Sequence, residues 1–533
     1  MEILAVKNLS FTYPLSDTPA IENISFSISK GDFIAVAGLS ASGKSTLLRL
    51  LMPQLSLMGD LSGEISYTDD IKIGFVMQHP ETQIVTDTVY HELAFALENM
   101  NMPHSLIERR TAEISAYFGI EDWYDKRVYS LSGGQKQLLN LASAVAMNPD
   151  LLILDEPTSR LDPISASDFL NTLKRINREL GITVIIAEHR LDDVLPISDK
   201  LMILDNGRLS LFDDVKSAIY KITEKNHAFC EMPTAVKIFH KTNGSDECPV
   251  DIAECRKYIL SCFDSNIKQL SRAKYRHSDK KAIELKDVYF RYDKSSADVL
   301  SGLNLTVYEQ EIFCIVGSNG GGKSTALSVM AGLNKQYSGK IKVFDKRIEY
   351  YKNGGLYRNN LAYLPQDVQT VFTKNSVFEE LESVGFTADL LPIDISHLYN
   401  KHPYDLSGGE QQIVAIAKII CSRPKLLLLD EPTKAVDEKS KQRIIEMLKS
   451  MKNRGISIII VTHDLDFASL VADRVALFFN GKSVAEDTVD EFFKDNCFYT
   501  TSANRITKGI FENAITVDDA VELCNINTRG GNI

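Results

Sequence analysis

Residues 38–46 read GLSASGKST, and residues 317–325 read GSNGGGKST. Both stretches match the pattern G-x-x-x-x-G-K-[ST], and each follows a short apolar run, DFIAVAG or EIFCIVG. Each also opens an apolar-periodic stretch, so the pattern predicts the order strand, loop, helix. Such a loop wraps phosphate groups with its backbone N–H groups, and its lysine neutralises their charge. The sequence therefore predicts two phosphate-binding loops.

Four motifs occur twice in the same order. The paired positions are Lys44 and Lys323, Ser132 and Ser407, Asp155 and Asp430, and His189 and His463. Their offsets are 279 (323 − 44), 275 (407 − 132), 275 (430 − 155) and 274 (463 − 189) positions. Four motifs at nearly one offset indicate a duplicated domain.

The domain boundaries follow from this repeat. We expect one domain at residues 1–220, a connector at 221–282, a second domain at 283–500 and a C-terminal tail at 501–533. The helix-like piece VDIAECRKYILSCF (250–263) favours an ordered connector over a flexible tether. Buried apolar strands that alternate with helices predict an α/β fold with a mostly parallel sheet in each domain.

The composition of the chain excludes several classes of protein. The 533 residues are too many for one core, and 44% hydrophobic with 24% charged residues is an ordinary soluble composition. A net charge of −12 argues against nucleic acid or anionic lipid as the main partner. No run reaches the roughly 18 apolar residues of a membrane helix, and the start lacks a signal peptide. We therefore expect a cytoplasmic chain that inserts no segment into lipid.

Four pairs of residues have the chemistry of Mg²⁺-dependent nucleotide hydrolysis. The loop lysines would neutralise phosphate charge, and the serines that follow them would bind Mg²⁺. An aspartate that ends an apolar strand would hold the same ion, and the next glutamate would act as general base on the attacking water. These pairs are Lys44 and Lys323, Ser45 and Ser324, Asp155 and Asp430, and Glu156 and Glu431.

The phrases LSGGQ (131–135) and LSGGE (406–410) fit the capping box S-x-x-[EQ] at a helix start. Their paired glycines leave backbone N–H groups uncovered, and a bare helix N-terminus attracts anions. An ordinary capped helix would explain either phrase alone. Beside two phosphate-binding loops, an anion site is the better interpretation.

The order of phosphate loop, central glutamine, LSGGQ, Asp-Glu pair and late histidine resembles the nucleotide-binding domain of the ATP-binding cassette (ABC) family. The resemblance covers both halves of the chain. It implies two tandem P-loop NTPase domains, each with a mostly parallel sheet and a helical subdomain, that hydrolyse ATP with Mg²⁺. It also implies that each signature phrase faces the ATP held by the other half, so that one chain forms the whole ATP sandwich.

The resemblance assigns the site residues by position. The catalytic set would be Glu156, Glu431, His189, His463, Gln78 and Gln366, in which the histidines contact the γ-phosphate and the glutamines sense Mg²⁺ and the transport partner. Tyr13 and Tyr292, each 25 positions before a loop glycine (38 − 13; 317 − 292), would stack on adenine. The other nucleotide-binding residues would be Gly38, Ser40, Gly43, Lys44, Ser45, Thr46, Ser132, Gly133, Gly134, Gly317, Asn319, Gly322, Lys323, Ser324, Thr325, Ser407, Gly408 and Gly409. The metal ligands would be Ser45, Asp155, Ser324 and Asp430.

Two stretches indicate a more specific resemblance within the ABC family. VMQHPETQIVTDTVYHELAFALEN (76–99) and AEHRLDDV (187–194) resemble the duplicated ATPase subunit of energy-coupling factor (ECF) transporters, bacterial importers of vitamins and related micronutrients. That family implies a peripheral subunit on the cytoplasmic side of the cell membrane, with a membrane-embedded coupling (T) protein and a substrate-capture (S) protein as partners. The alternative is a soluble tandem ABC ATPase that acts in translation or DNA metabolism.

The segment from the central glutamine to the signature serine differs in length between the halves. It spans 54 positions in the first half (132 − 78) and 41 in the second (407 − 366). In the ABC family this segment is the helical arm whose groove receives the coupling helices of the membrane protein. We therefore expect unequal grooves.

Overall fold

The structure of the chain, a computed structural model, describes residues 1–14, 16–55, 57–159, 161–245, 247–263, 270, 275–351, 354–387, 390–434 and 436–528. The chain divides into two compact units. The first comprises Met1–His240 with Gly244–Asp251, and the second comprises Lys241–Asn243 with Ile252–Ile533. The finer boundaries expected from the sequence stay predictions.

The first unit has two sheets. Its strands are β1 (Glu2–Thr12), β2 (Ile21–Ser29), β3 (Phe33–Ala37), β4 (Asp60–Tyr67), β5 (Ile73–Val76), β6 (Leu151–Asp155), β7 (Thr183–Ala187), β8 (Lys200–Asp205) and β9 (Arg208–Asp214). The larger sheet has the order β5-β6-β7-β3-β8-β9, in which only β9 is antiparallel to its neighbour. The smaller, antiparallel sheet has the order β2-β1-β4.

The helices of the first unit alternate with the strands of its larger sheet. They are α1 (Lys44–Leu50), α2 (Pro80–Gln83), α3 (Val89–Asn99), α4 (His104–Phe118), α5 (Gly133–Ala146), α6 (Pro163–Leu180), α7 (Val215–Lys221) and α8 (Thr234–Lys241). Side chains of α1 pack between the two sheets with Val36, Ile153 and Ile185. Strands β3, β6 and β7 are buried along their whole length, because a parallel sheet is covered on both faces.

The second unit repeats this architecture. Its strands are β10 (Lys281–Phe290), β11 (Leu300–Tyr308), β12 (Ile312–Val316), β13 (Ser338–Val343), β14 (Lys346–Arg347), β15 (Leu361–Leu364), β16 (Leu426–Asp430), β17 (Ser457–Val461), β18 (Arg474–Phe479) and β19 (Lys482–Thr488). The larger sheet has the order β15-β16-β17-β12-β18-β19, and the smaller has the order β11-β10-β13-β14. The predicted α/β fold with a mostly parallel sheet in each half is confirmed.

The helices of the second unit include a shorter helical arm. They are α9 (Ile252–Cys262), α10 (Lys323–Met330), α11 (Val377–Glu382), α12 (Gly408–Cys421), α13 (Glu438–Asn453), α14 (Leu465–Val471), α15 (Val489–Asp495), α16 (Ser502–Thr507) and α17 (Val517–Ile526). Between the glutamine and the signature serine, the first unit has α2, α3 and α4, whereas the described part of the second has α11 and short 3-10 turns. The two arms therefore differ in their helices, and the unequal grooves stay a prediction.

The helix expected in the connector exists as α9 and belongs to the second unit. Its Arg256 donates hydrogen bonds to the backbone carbonyls of Arg505, Ile506 and Lys508 at 3.1, 3.0 and 2.7 Å. These carbonyls lie at the C-terminal end of α16, where helix carbonyls lack intrahelical partners. Phe263, just after α9, pairs with Thr528 of the tail. The connector helix and the tail therefore pack as one substructure of the second unit.

No helix in the described ranges combines the length and the apolar character that crossing a bilayer requires.

Candidate active sites

The first phosphate loop joins β3 to α1 in a conformation that needs glycine. Gly38 has a φ of +148°, and a Cβ there would lie 2.3 Å from the Leu204 carbonyl oxygen. Gly43, with a φ of +98°, starts α1. Lys44 is 4% exposed, and its Nζ donates to the carbonyl of Gly38 and, at 3.2 Å, to that of Leu39. In the part of the chain that the structure describes, no carboxylate forms an ion pair with Lys44, so this buried cation suits an anionic ligand.

The second loop, between β12 and α10, has the same geometry. Gly317 has a φ of +147°, and a Cβ there would lie 2.4 Å from the Phe478 carbonyl oxygen. Gly322, at +92°, starts α10. The Lys323 Nζ donates to the carbonyls of Gly317 and Ser318 at 2.9 Å each. The remaining predicted loop residues differ in burial. Thr46 and Thr325 are buried, Ser40 is half-buried and Asn319 is exposed.

The predicted metal ligands form one oxygen pair in each unit. Ser45 Oγ donates to Asp155 Oδ1 at 2.9 Å, and Ser324 Oγ donates to Asp430 Oδ1 at 3.0 Å. Burial raises the pKa of Asp155, and it raises the pKa of Asp430 to about 6. Hydroxyl and carboxylate oxygens are the donors that Mg²⁺ prefers. Both pairs therefore fit that ion.

The glutamates after β6 and β16 have unusual backbone angles. Glu156 and Glu431 have φ values of +46° and +51°. Their N–H groups donate to the carbonyls of Ala187 and Val461 at 2.9 Å, which ties each residue to the end of the neighbouring strand. Both carboxylates are buried. Burial raises their pKa, but the neighbouring histidine outweighs it, so the pKa of each lies below the ordinary value.

The first unit brings three predicted catalytic residues together. Glu156 Oε1 lies 2.8 Å from His189 Nε2, and Glu156 Oε2 accepts a hydrogen bond from Gln78 Nε2 at 2.7 Å. The other ring nitrogen of His189 lies 3.0 Å from Glu231 Oε1. Burial lowers the pKa of His189, but the charge of Glu156 and hydrogen bonds to both carboxylates raise it to about 10. The two carboxylates therefore favour the doubly protonated form of the ring.

In the second unit, the predicted catalytic glutamate and histidine are in contact, but the glutamine is not. His463 Nδ1 lies 2.8 Å from Glu431 Oε2, which also accepts from the His463 backbone N–H at 3.3 Å. Gln366 is exposed, and within the described ranges it forms no hydrogen bond with Glu431. The two sites therefore differ in the contacts of the predicted general base.

The predicted adenine-stacking tyrosines lie beside the phosphate loops. Tyr13 and Thr46 share a hydrogen bond of 3.0 Å between their hydroxyls, and Tyr292 and Thr325 share one of the same length. Both rings are exposed, at 37% and 63%. This exposure leaves a ring free to contact a base, and stacking stays a prediction.

The signature phrases start helices α5 and α12, as predicted. Ser132 Oγ accepts from the Gln135 N–H at 3.3 Å and Ser407 Oγ from the Glu410 N–H at 3.3 Å, and both capping boxes are complete. A Cβ at Gly409 would lie 2.5 Å from Ser440 Oγ, so this glycine permits close packing against α13.

The N-termini of the signature helices are accessible. The exposed residues are Ser132, Gly133 and Gly408, and Gly134 and Ser407 are half-buried. In the described part of the first unit, Ser132 forms no hydrogen bond with the phosphate loop of the same unit. The geometry leaves the helix starts free to bind an anion that their own unit does not hold.

Two buried carboxylates at the first site were not singled out as site residues from the sequence. Glu231, in the 3-10 turn His227–Glu231, contacts His189 and also accepts from the Gly38 N–H at 3.0 Å. Glu188 accepts from the N–H and hydroxyl of Thr158 at 2.8 and 2.7 Å, and burial raises its pKa to about 7. A lone acidic residue in an apolar stretch, FCEMP for Glu231, was the only signal in the sequence.

A family model described as ABC transporter matches residues 21–159 and 300–434. One match lies within each unit, and each includes a phosphate loop, the signature phrase and the Asp-Glu pair. The chain belongs to the ABC transporter family. ATP-binding domains of this family bind and hydrolyse ATP, so the chain is a tandem ABC ATPase.

Relatives of this ABC ATPase match it along nearly its whole length. A Bacillus cereus protein, provisionally named an ABC transporter ATP-binding protein, is 37% identical over 97% of each chain. Bacillus subtilis YkoD, provisionally named an HMP/thiamine import ATP-binding protein, is 30% identical over 89% of each. A chain in the solved complex of archaeal ribosomal stalk protein aP1 and ribosome recycling factor aABCE1 has a TM-score of 0.60 at 19% identity, covering 91% of each, which shows the tandem fold alone.

Proposed function

We propose that this ABC ATPase is the energy-coupling subunit of an ECF-type importer of vitamins or related micronutrients. It would lie on the cytoplasmic side of the cell membrane, on a membrane-embedded coupling protein that works with a substrate-capture protein. The observation that carries the proposal is the contact of Gln78 with Glu156. Gln78 lies in the stretch 76–99 that resembles ECF ATPases, and this stretch leads from the sheet into the helical arm.

The first step of the proposed mechanism is the binding of ATP. The buried ammonium groups of Lys44 and Lys323 would neutralise phosphate charge, and backbone N–H groups of the two loops would surround the phosphates. Ser45 with Asp155, and Ser324 with Asp430, would hold Mg²⁺. Mg²⁺, when bound, neutralises further phosphate charge.

The second step is the activation of water by Glu156 and Glu431. Because their pKa values lie below the ordinary value, both are ionised at neutral pH and can accept a proton from water. His189 and His463 lie against these carboxylates and orient them. A general base of this kind contributes about 10²- to 10⁴-fold to the rate.

The third step passes a movement of the arm to the active site. Gln83 accepts from the Met77 N–H at 2.8 Å and donates to the Phe75 carbonyl at 2.9 Å. The buried Glu92 of α3 accepts from the Val85 N–H, and from the N–H and hydroxyl of Thr86. The loop between Gln78 and α3 is therefore held together by hydrogen bonds, so a partner that moves the arm also moves Gln78.

We further propose that one chain supplies both halves of an ATP sandwich. Each unit has a phosphate loop, a general base and a signature helix with an accessible N-terminus. Such a helix start favours an anion through its dipole and free donors. The γ-phosphate held by the other unit is the anion that this arrangement suits.

Co-purification tests the proposed function. The tagged chain is extracted from its own membranes in mild detergent, and we expect a polytopic membrane protein in stoichiometric amount. A Val85→Asp variant, which changes an exposed apolar side chain of the arm, should lose that partner and keep its ATPase activity. Leu180→Asp, an equally polar change at the end of α6, is the control and should keep both. Ribosomes or DNA in place of the membrane protein would support the alternative function and overturn this one.

A further inference from the structure

Glu231 is a buried carboxylate, 4% exposed, that belongs to none of the family motifs. It ends the 3-10 turn His227–Glu231, which lies between α7 and α8. The neighbouring Met232 is fully buried, and the Thr234 N–H donates to Asp192 Oδ1 at 3.1 Å. Because Asp192 follows His189 by three residues, the segment that bears Glu231 is tied to the loop that bears the histidine.

The two oxygens of Glu231 bind different parts of the first site. Oε2 accepts from the N–H of Gly38, the first residue of the phosphate loop, at 3.0 Å. Oε1 lies 3.0 Å from Nδ1 of His189. With Nδ1 held by Glu231, Nε2 of the same ring faces Glu156 at 2.8 Å. Glu231 therefore sets the orientation of the imidazole and the proton on Nδ1, as a carboxylate beside a histidine does in other enzymes.

The second site lacks this arrangement. His463 contacts Glu431 through Nδ1, and across the described ranges no other carboxylate binds its ring. The segment after α15, residues 496–501, has no acidic side chain, and two of its hydroxyls bind backbone carbonyls of the second unit. Thr500 Oγ1 donates to the Phe493 carbonyl, and Thr501 Oγ1 donates to the Ile515 carbonyl. The histidine of the first unit is thus restrained from both sides and that of the second from one.

We propose that Glu231 is a positioning residue for ATP hydrolysis at the first site. It holds the His189 ring against Glu156 and joins that ring to the phosphate loop. The inference rests on the role proposed above for His189, and it does not depend on the identity of the membrane partner.

Nucleotide trapping in each half tests the proposal. Photoreactive 8-azido-ATP and orthovanadate label a site that reaches the hydrolytic transition state, and mass spectrometry assigns the label to residues 1–240 or 275–500. We expect Glu231→Gln to lower trapping in the first half roughly tenfold or more, as outer partners of histidine do elsewhere. Labelling without vanadate, which measures binding, should change less than twofold. Unchanged trapping, or an equal loss of binding and trapping, would overturn the proposal.

A double-mutant cycle separates positioning from a general structural role. If Glu231 acts through His189, adding Glu231→Gln to His189→Ala should have no further effect on first-half trapping. Adding it to His463→Ala, the matched control, should multiply the two effects. Independent effects of Glu231→Gln and His189→Ala would overturn the inference. Normal trapping in His189→Ala alone would instead overturn the role proposed for the histidine.

A measurement on the unchanged protein covers the case in which Glu231→Gln does not fold. With ¹⁵N-labelled histidine, the signal of His189 is assigned by its loss in His189→Ala. At neutral pH we expect protons on both ring nitrogens of His189. A neutral ring without a proton on Nδ1 would contradict the contact with Glu231.

Discussion

Glu156 and Glu431 occupy a backbone conformation that few L-residues adopt. Positive φ values of this kind cost of order 1–3 kcal/mol and persist only where the surroundings enforce them. Here the hydrogen bonds to Ala187 and Val461 enforce them. This conformation positions each carboxylate against the histidine that follows the neighbouring strand.

Replacing both glutamates tests their role as general bases. In Glu156→Gln with Glu431→Gln, we expect ATP hydrolysis to fall by about 10²- to 10⁴-fold, because the amide cannot accept the proton of water. ATP binding, measured by equilibrium titration, should be retained, since the phosphate loops are unchanged. Glu113→Gln, which alters an exposed carboxylate on α4, is the control and should hydrolyse normally. Substantial activity in the double variant would assign the general base elsewhere.

Glu188 predicts a pH dependence of stability in the first unit. Its pKa in the fold is about 7 against an ordinary value of 4.5, so the folded unit holds this proton more tightly than the unfolded chain. The resulting stability is complete below pH 4.5 and is lost as the pH rises through about 7. We expect Glu188→Gln, neutral at every pH, to flatten this decline between pH 5 and 8. Trp123, the single tryptophan of the chain, reports unfolding of the first unit by its fluorescence in urea. Equal pH slopes in the two proteins would contradict the prediction.

At the scale of elements, the two arms begin with the same hydrogen-bonding arrangement and differ in the helices that follow it. In the first unit, Glu92 accepts from the backbone at Val85 and Thr86. In the second, Glu380 accepts from the backbone at Thr373 and Lys374 and pairs with Lys418. The first arm then continues through α3 and α4, whereas the second has the six residues of α11. Arms that begin alike and continue with unequal helices predict grooves of different shape.

Unequal grooves predict an asymmetric partner. Val85→Cys and Thr373→Cys place a thiol at matched, exposed positions of the two arms, in a Cys497→Ser background that lacks the exposed native thiol. Crosslinking to cysteines in each coupling helix of the membrane partner should give a one-to-one pattern, with the larger contact at the first arm. Indiscriminate crosslinking of both positions to both helices would mean that the grooves do not discriminate.

At the scale of the whole molecule, the chain has two copies of every part that the proposed sandwich needs. Each unit has its own loop lysine, Ser–Asp oxygen pair, glutamate after the aspartate, and histidine. The copies are not equivalent, because Gln78 and Glu231 contact the first site, and the described part of the second unit has no counterpart of either contact.

A sandwich formed within one chain predicts compaction without dimerisation. With ATP and Mg²⁺, the Glu156→Gln, Glu431→Gln double variant should show a smaller radius of gyration in X-ray scattering. The molecular mass should stay that of one chain at every protein concentration. The control is Lys44→Ala with Lys323→Ala in the same background. This variant should not become more compact, because its loops no longer neutralise the phosphate charge of ATP. Compaction that occurs only with a doubled mass would refute the single-chain sandwich.

The sequence by itself determined the features that depend on neighbouring residues. The phosphate loops, buried strands, capping boxes and fold class were all predicted correctly, because glycine at positive φ, apolar runs and capping residues act over a few positions. Only the tertiary structure decided which distant residues meet. His189 and Glu231 are 42 positions apart, and Arg256 of α9 contacts Arg505 of α16 across 249 positions, so no local pattern indicates either contact. Such contacts form when the whole core is buried. A single carboxylate in an apolar segment needs a partner when it is buried, but only the folded structure identifies that partner as a histidine.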